Sequence, residues 1–195
     1  MAPTVTRLRH ERPGWVAVDL DGRPWRVLPA EAVLRAGLAA GVELGRDRAL
    51  TVARERRRLL ALSAAGKALA HREPTRSELD ERLRRRRLPP REREAALDAV
   101  REAGLQDDGR TARGRAESLV ARGYGNLAIE DDLRRRGVDV VTAAAAIAGL
   151  ESETARAARI VERSGRSART AQALTRRGFA EETVEVAVAD EADYG

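Results

Sequence analysis

The arginines carry the chemistry this sequence can offer. They recur in three runs of one form: Leu83-Arg84-Arg85-Arg86-Arg87-Leu88, Leu133-Arg134-Arg135-Arg136-Gly137-Val138 and Leu174-Thr175-Arg176-Arg177-Gly178-Phe179. Each opens on an apolar residue and closes on another five positions later. A guanidinium is a planar fork that grips carboxylates and phosphates at two points, so repeated exposed arginines predict contact with an anionic polymer or an acidic protein surface. Successive helical residues turn by about 100°. With Leu83, Leu133 and Leu174 facing a core, Arg86, Arg136 and Arg177 stay near its edge, while Arg85, Arg135 and Arg176 point away. A purely structural reading competes: arginines in a last helical turn meet the helix dipole and cover apolar surface with their stems.

Other residue types offer less. There is no cysteine, and only His10 and His71 supply imidazole, so neither a zinc site nor any cofactor is expected. Asp107-Asp108 resemble a paired acidic site, but a helix N-terminus explains them better. Gly123-Tyr124-Gly125 read as a helix-breaking turn rather than a phosphate loop, since no strand precedes them. No Gly-x-Ser-x-Gly, His-Glu-x-x-His or Walker pattern occurs, and an enzyme is not expected. The apolar runs are too short for a membrane helix and the start lacks a signal-peptide core, which predicts a cytoplasmic protein.

Charge is uneven. Of the net +6, residues 53–104 carry 15 Lys and Arg against 9 Asp and Glu, while residues 105–150 balance at 7 against 7. The positive field therefore belongs to the region of the first arginine run. Aromatic residues make up 3% and charged residues 35%, a composition suited to helices packed through small and branched side chains.

These residues need elements to hold them. The runs lie 50 and then 41 residues apart, the scale of a repeated supersecondary unit. Residues 15–28 predict a hairpin about Asp21-Gly22, with Val18 opposite Trp25, Val16 opposite Val27 and Asp19 opposite Pro24. Trp25 then falls in the core and Trp15 on the opposite face. Pro24 marks an edge strand, Val5 to Leu8 fit a further strand, and Val42-Glu43-Leu44 can return to the sheet. A short helix over Ala30–Ala36 ends at Gly37.

Beyond Leu50 the pattern predicts helices only. The first is Ala53–Arg72, with Leu59, Leu60, Leu62 and Leu69 inward. Thr75 and Glu78 form a capping box for the next, which carries Leu79 and Leu83. A helix over Pro90–Glu102 buries Ala96, Leu97 and Val100. Asp107 or Asp108 caps a helix to about Arg122, Asn126 caps one bearing Ile129 and Leu133, and Val140–Leu150 follow. Helices over Glu153–Arg163, Ser167–Arg177 and Glu181–Ala192 complete the chain. The expected fold is mainly α: tandem three-helix repeats over 53–104, 105–150 and 151–195, behind a small α+β module over 1–52.

Taken together, these segments resemble the RecX regulatory proteins, bacterial modulators of the RecA recombinase. The resemblance rests on Thr75–Leu83, Gly104-Leu105-Gln106-Asp107-Asp108-Gly109-Arg110-Thr111-Ala112, Arg122-Gly123-Tyr124-Gly125 with Ile129, Leu133 and Gly137, and Arg176-Arg177-Gly178-Phe179. The hairpin with Leu20-Asp21-Gly22 is similar to the family's amino-terminal domain. Thr111 departs from the family, which has an aromatic there, and the third unit lacks a Lys/Arg-rich segment. The resemblance implies an elongated, curved array that binds the RecA–single-stranded DNA filament as a monomer. It implies inhibition of ATP hydrolysis, strand exchange and co-protease activity. Arg84, Arg85, Arg86, Arg134, Arg135, Arg176 and Tyr124 are then the candidate contacts to RecA or DNA. The competing readings are a direct DNA-binding protein and a helical adaptor for another protein.

Overall fold

The computed structural model describes residues 1–70 and 73–189. His71 and Arg72 and the expected helical residues 190–192 lie outside the described residues, and the last helix ends at Val188, short of the expected Ala192. The fold is mainly helical, with one three-stranded antiparallel sheet, and divides into two compact units. One holds Met1–Arg72 and Leu79–Gly104; the other holds Glu73–Glu78 and Leu105–Gly195.

In the first unit, β1 (Val5–Arg12), β2 (Trp15–Leu20) and β3 (Arg23–Pro29) pair in sequence order, so β3 is an edge as Pro24 predicts. Asp21 and Gly22 both take positive φ, 49° and 78°, the two-residue turn that suits the twist of a hairpin. The expected register fails beyond Pro24. Val18 stands opposite Arg26, Val16 opposite Leu28, and Trp25 is the extra residue of a bulge. Trp25 is accordingly only partly buried at the core margin. On the other side, Trp15 carries the Arg12 guanidinium 4.6 Å from its ring centre. Glu43 bridges to Thr4, the return to the sheet foreseen for residues 42–44.

The short α1 (Ala30–Arg35) follows, and Gly37 at φ 61° closes it. The long α2 (Arg46–Leu69) begins before the expected Ala53. Its early turns place Ala49 and Val52 on the sheet core, which gives the small module the apolar partner it lacks alone. Further along, α2 buries Ala61, Ala64, Ala65 and Ala68; of the expected leucines, Leu62 and Leu69 pack partly buried against this core, while Leu60 is 39% exposed. The alanine face allows close approach to α4 (Pro90–Glu102), where Ala96, Leu97 and Val100 meet it. Between them, α3 (Arg76–Arg85) contributes Leu79 and Leu83. Two ion pairs lock this triplet, Arg57 to Glu92 at 2.9 Å and Arg93 to Asp80 at 2.7 Å.

The second unit holds two further triplets. The first comprises α5 (Asp108–Ala121), α6 (Asn126–Arg135) and α7 (Val140–Ala148) around Ala116, Ile129, Leu133 and Val138. The second comprises α8 (Glu153–Ser164), α9 (Ala168–Arg176) and α10 (Glu181–Val188) around Ala157, Leu174 and Phe179. Side-chain oxygens of Asp107, Asp139, Ser152 and Ser167 accept from N–H groups of the first turns. The expected Asn126 cap is absent: Gly125 holds that place, and Asn126 turns its amide oxygen to Arg156. Asn126 is held by Arg156, and the cap position before it admits only a glycine because it lies against the backbone of Gly178 and Phe179.

Candidate partner-binding site

Leu83, Leu133 and Leu174 are each 0% exposed, so the three runs hang from equivalent interior anchors. Four residues before each stands another buried side chain, Leu79, Ile129 or Thr170, and five after it Leu88, Val138 or Phe179. The helix then ends on a left-handed residue, Arg87, Gly137 or Gly178. In α6 and α9 the N–H of the closing apolar residue donates back to the anchoring leucine's carbonyl, which fixes where the arginines leave the surface.

What leaves the surface is alike in the first two runs. Arg84 and Arg85 are exposed and share the carboxylate of Glu81, Arg85 at 3.1 Å. Arg134 and Arg135, with side chains 75% and 70% exposed, share Asp131 at 2.7 and 2.9 Å. The Arg85 and Arg84 guanidiniums hold the Glu81 carboxyl below its usual value. One acid thus positions two forks and leaves one net positive charge facing out. In the third run Gln172 occupies the acid's place, and Arg176 is exposed without a carboxylate partner among the described residues.

The residues expected at the core edge differ among themselves. Arg136 is half-buried and structural, bonded to Asp132 and Glu78 at 2.9 Å each. Arg86 is exposed, since α3 has already ended at Arg85. With Lys67, Arg82 and Arg85 it lines a shallow basic depression against Ala64 and Ala68. Arg177 is exposed as well. Asp132 also receives both ends of the Arg115 guanidinium at 2.8 Å, and Arg115 first, with Arg136, lowers its pKa to about 2.

Tyr124 is half-buried. It lines a cleft whose arginines are Arg122, Arg156, Arg159, Arg163 and Arg177. Reading the three runs alone passes over the α8 members of this group. Their signal is present in the sequence: positions 156, 159 and 163 recur at three- and four-residue steps, one face of a helix. No helix among the described residues is long and apolar enough to cross a membrane.

The same order of elements recurs in known proteins. No protein-family model matches the chain. A protein of Halorhodospira halophila named regulatory protein RecX is 40% identical over 136 residues, spanning 65% of this chain and 84% of that one. This chain belongs to the RecX family. A RecX of Xanthomonas axonopodis is 35% identical over 121 residues, 57% of this chain and 75% of the relative. A crystal structure of regulatory protein RecX superposes with a TM-score of 0.76 at 20% identity, covering 95% of this chain and 98% of that one. A RecX from Lactobacillus salivarius gives 0.60 at 18% identity over 68% of this chain and 94% of the other. These two share its fold. The names of the relatives are those of regulatory proteins, which fits a surface of positioned arginines.

Proposed function

We propose that this chain regulates the RecA recombinase by binding its filament on single-stranded DNA, and thereby restrains ATP hydrolysis, strand exchange and co-protease activity in DNA repair and the SOS response. The observation that carries the reading is the repeated acid-tethered arginine pair, Arg84 and Arg85 on Glu81, then Arg134 and Arg135 on Asp131. Each pair is held at a fixed station of its helix by a fully buried leucine. A target that repeats along a polymer is matched by a ligand whose charged stations also repeat.

Forks already ordered by an acid lose little side-chain freedom on binding, so they favour recognition over mere solubility. The chain acts here as a regulator with no catalytic step of its own. Its working pieces are the module over 1–52 and the repeats over 53–104, 105–150 and 151–195. RecA ATPase on single-stranded DNA, with and without the protein at two salt concentrations, tests this reading. Inhibition that weakens at the higher salt is expected. DNA binding without any effect on RecA would favour a plain nucleic-acid-binding protein instead.

A further inference from the structure

A cleft of about 370 Å³ opens in the second unit between the end of α5, one face of α8 and the turn that follows α9. Five arginines line it, and no carboxylate does among the described residues. Arg156 forms the floor. Its side chain is buried, with the residue 4% exposed, and its three bonds all go to uncharged oxygens: the carbonyls of Glu151 and Tyr124, at 3.1 and 2.9 Å, and the Asn126 amide oxygen. Burial pushes its pKa below the ordinary arginine value, although the charges of Glu153 and Glu151 act the other way.

The rim is exposed. Arg163 and Arg177 make no ion pair among the described residues, and Arg122 lies over the Tyr124 ring at 5.4 Å. The Arg177 guanidinium occupies the space that a side chain at position 123 would need, so Gly123 lets it lean into the cleft. Arg159 is paired with Glu151.

Arg156 also braces the backbone at Tyr124 and Glu151, but gathering four further guanidiniums round the same hollow costs mutual repulsion. A carboxylate has two oxygens and ties two forks, as Glu81, Asp131 and Asp132 each do. A phosphate offers tetrahedral oxygens that accept from several forks at once. We infer that the cleft is a phosphoanion site, taking the phosphate of a free nucleotide or of a nucleic-acid strand. The site is independent of the filament reading, because it can bind phosphate whether or not the chain meets RecA.

The test is titration, without RecA, of a short labelled oligothymidylate and of ATP into the wild-type protein. The comparison is a variant with Arg122→Ala, Arg163→Ala and Arg177→Ala. The variant is expected to lose affinity by about tenfold or more, and for the strand the slope of log K against log salt becomes shallower by about 2, at roughly 0.7 per lost contact. The three positions changed to Lys keep charge but not the fork, and should recover only part of the binding. This variant decides the matter if the alanine protein loses its helical circular dichroism. ATP that displaces the strand assigns a nucleotide phosphate; strand binding that ATP does not displace assigns the nucleic-acid backbone.

The proposal is overturned if the wild-type protein binds neither ligand, or if both variants bind as the wild type does. Polyglutamate displacing the strand at equal charge would also overturn it, by assigning the cleft to an acidic protein. A variant that loses phosphate binding while still inhibiting RecA ATPase would leave the proposed function standing.

Discussion

Two joints in the second unit solve one problem with different groups. At the first, the opening turn of α3 meets the end of α6: the Thr75 hydroxyl donates to the Arg136 carbonyl at 2.6 Å, and the Arg76 N–H donates to Asp108 at 2.7 Å. At the second, the opening turn of α6 meets the end of α9. There the Gly125 N–H donates to the Arg177 carbonyl at 2.9 Å, and the Asn126 N–H donates to Glu153. A carboxylate that opens another helix, Asp108 of α5 or Glu153 of α8, serves the N–H group in both, while the orphan carbonyl is met by a hydroxyl in one and by backbone in the other. Thr111 and Arg156 stand three residues after Asp108 and Glu153 in turn. The Thr111 hydroxyl is buried with no partner among the described residues, whereas Arg156 reaches three oxygens. What a repeat preserves is the satisfaction of its helix ends, and side chains diverge freely around that requirement.

The sharpest way to break the comparison is to give the second joint the side chain the first one carries. A Cβ at Gly125 would lie 2.3 Å from the Gly178 oxygen and the Phe179 nitrogen, both backbone atoms that cannot swing aside. Gly125→Ala should therefore destabilise by about 3 kcal/mol or more in urea unfolding. Thr75→Ala, which removes the cap and the bond to the Arg136 carbonyl but adds no clash, should cost about 1–2 kcal/mol. Equal effects would show that the two joints are not built differently.

Next in size is the acid that braces the first joint through Arg136. Asp132→Asn removes a carboxylate shared by Arg115 and Arg136 and should cost on the order of 1–2 kcal/mol at neutral pH. The folded-state pKa of about 2 lies below the ordinary 3.8, so the contribution is complete above about pH 4 and is lost as pH falls toward 2. Across that window the variant should lose less stability than the wild type; parallel acid-unfolding curves would contradict this.

The smallest expected effect lies at the helix ends. Arg87 sits at φ 56° where the other runs have glycine. Arg87→Gly should raise stability by about 0.5–1 kcal/mol by relieving left-handed strain. A loss would show that the Arg87 side chain holds more than its backbone costs.

Much of this architecture was legible because it follows from local rules. The Thr75–Glu78 box, the Asp21-Gly22 turn, the Pro90–Glu102 helix and the buried anchors Leu83, Leu133 and Leu174 all follow from short-range spacing. What escaped depends on contacts made across the fold. The alanine face of α2 is chosen by how near α4 can come, and the slip at Trp25 by a proline that cannot donate to the ladder. Asn126 loses its capping role to Arg156 thirty residues on, a pairing that periodicity cannot show. Of the candidate contacts, exposure of Arg85, Arg135 and Arg176 was readable from the helical step, but the tethers at Glu81 and Asp131 needed the folded surface.

The central claim is that these tethered pairs are the working surface. RecA ATPase on single-stranded DNA, measured against the wild-type chain and against a variant with Arg84, Arg85, Arg134 and Arg135 changed to Ala, tests it most directly. The account predicts that the variant keeps its helical circular dichroism while its inhibition falls by about tenfold or more in effective concentration, as expected for the loss of several charge-assisted contacts. Inhibition equal to that of the wild type would contradict it.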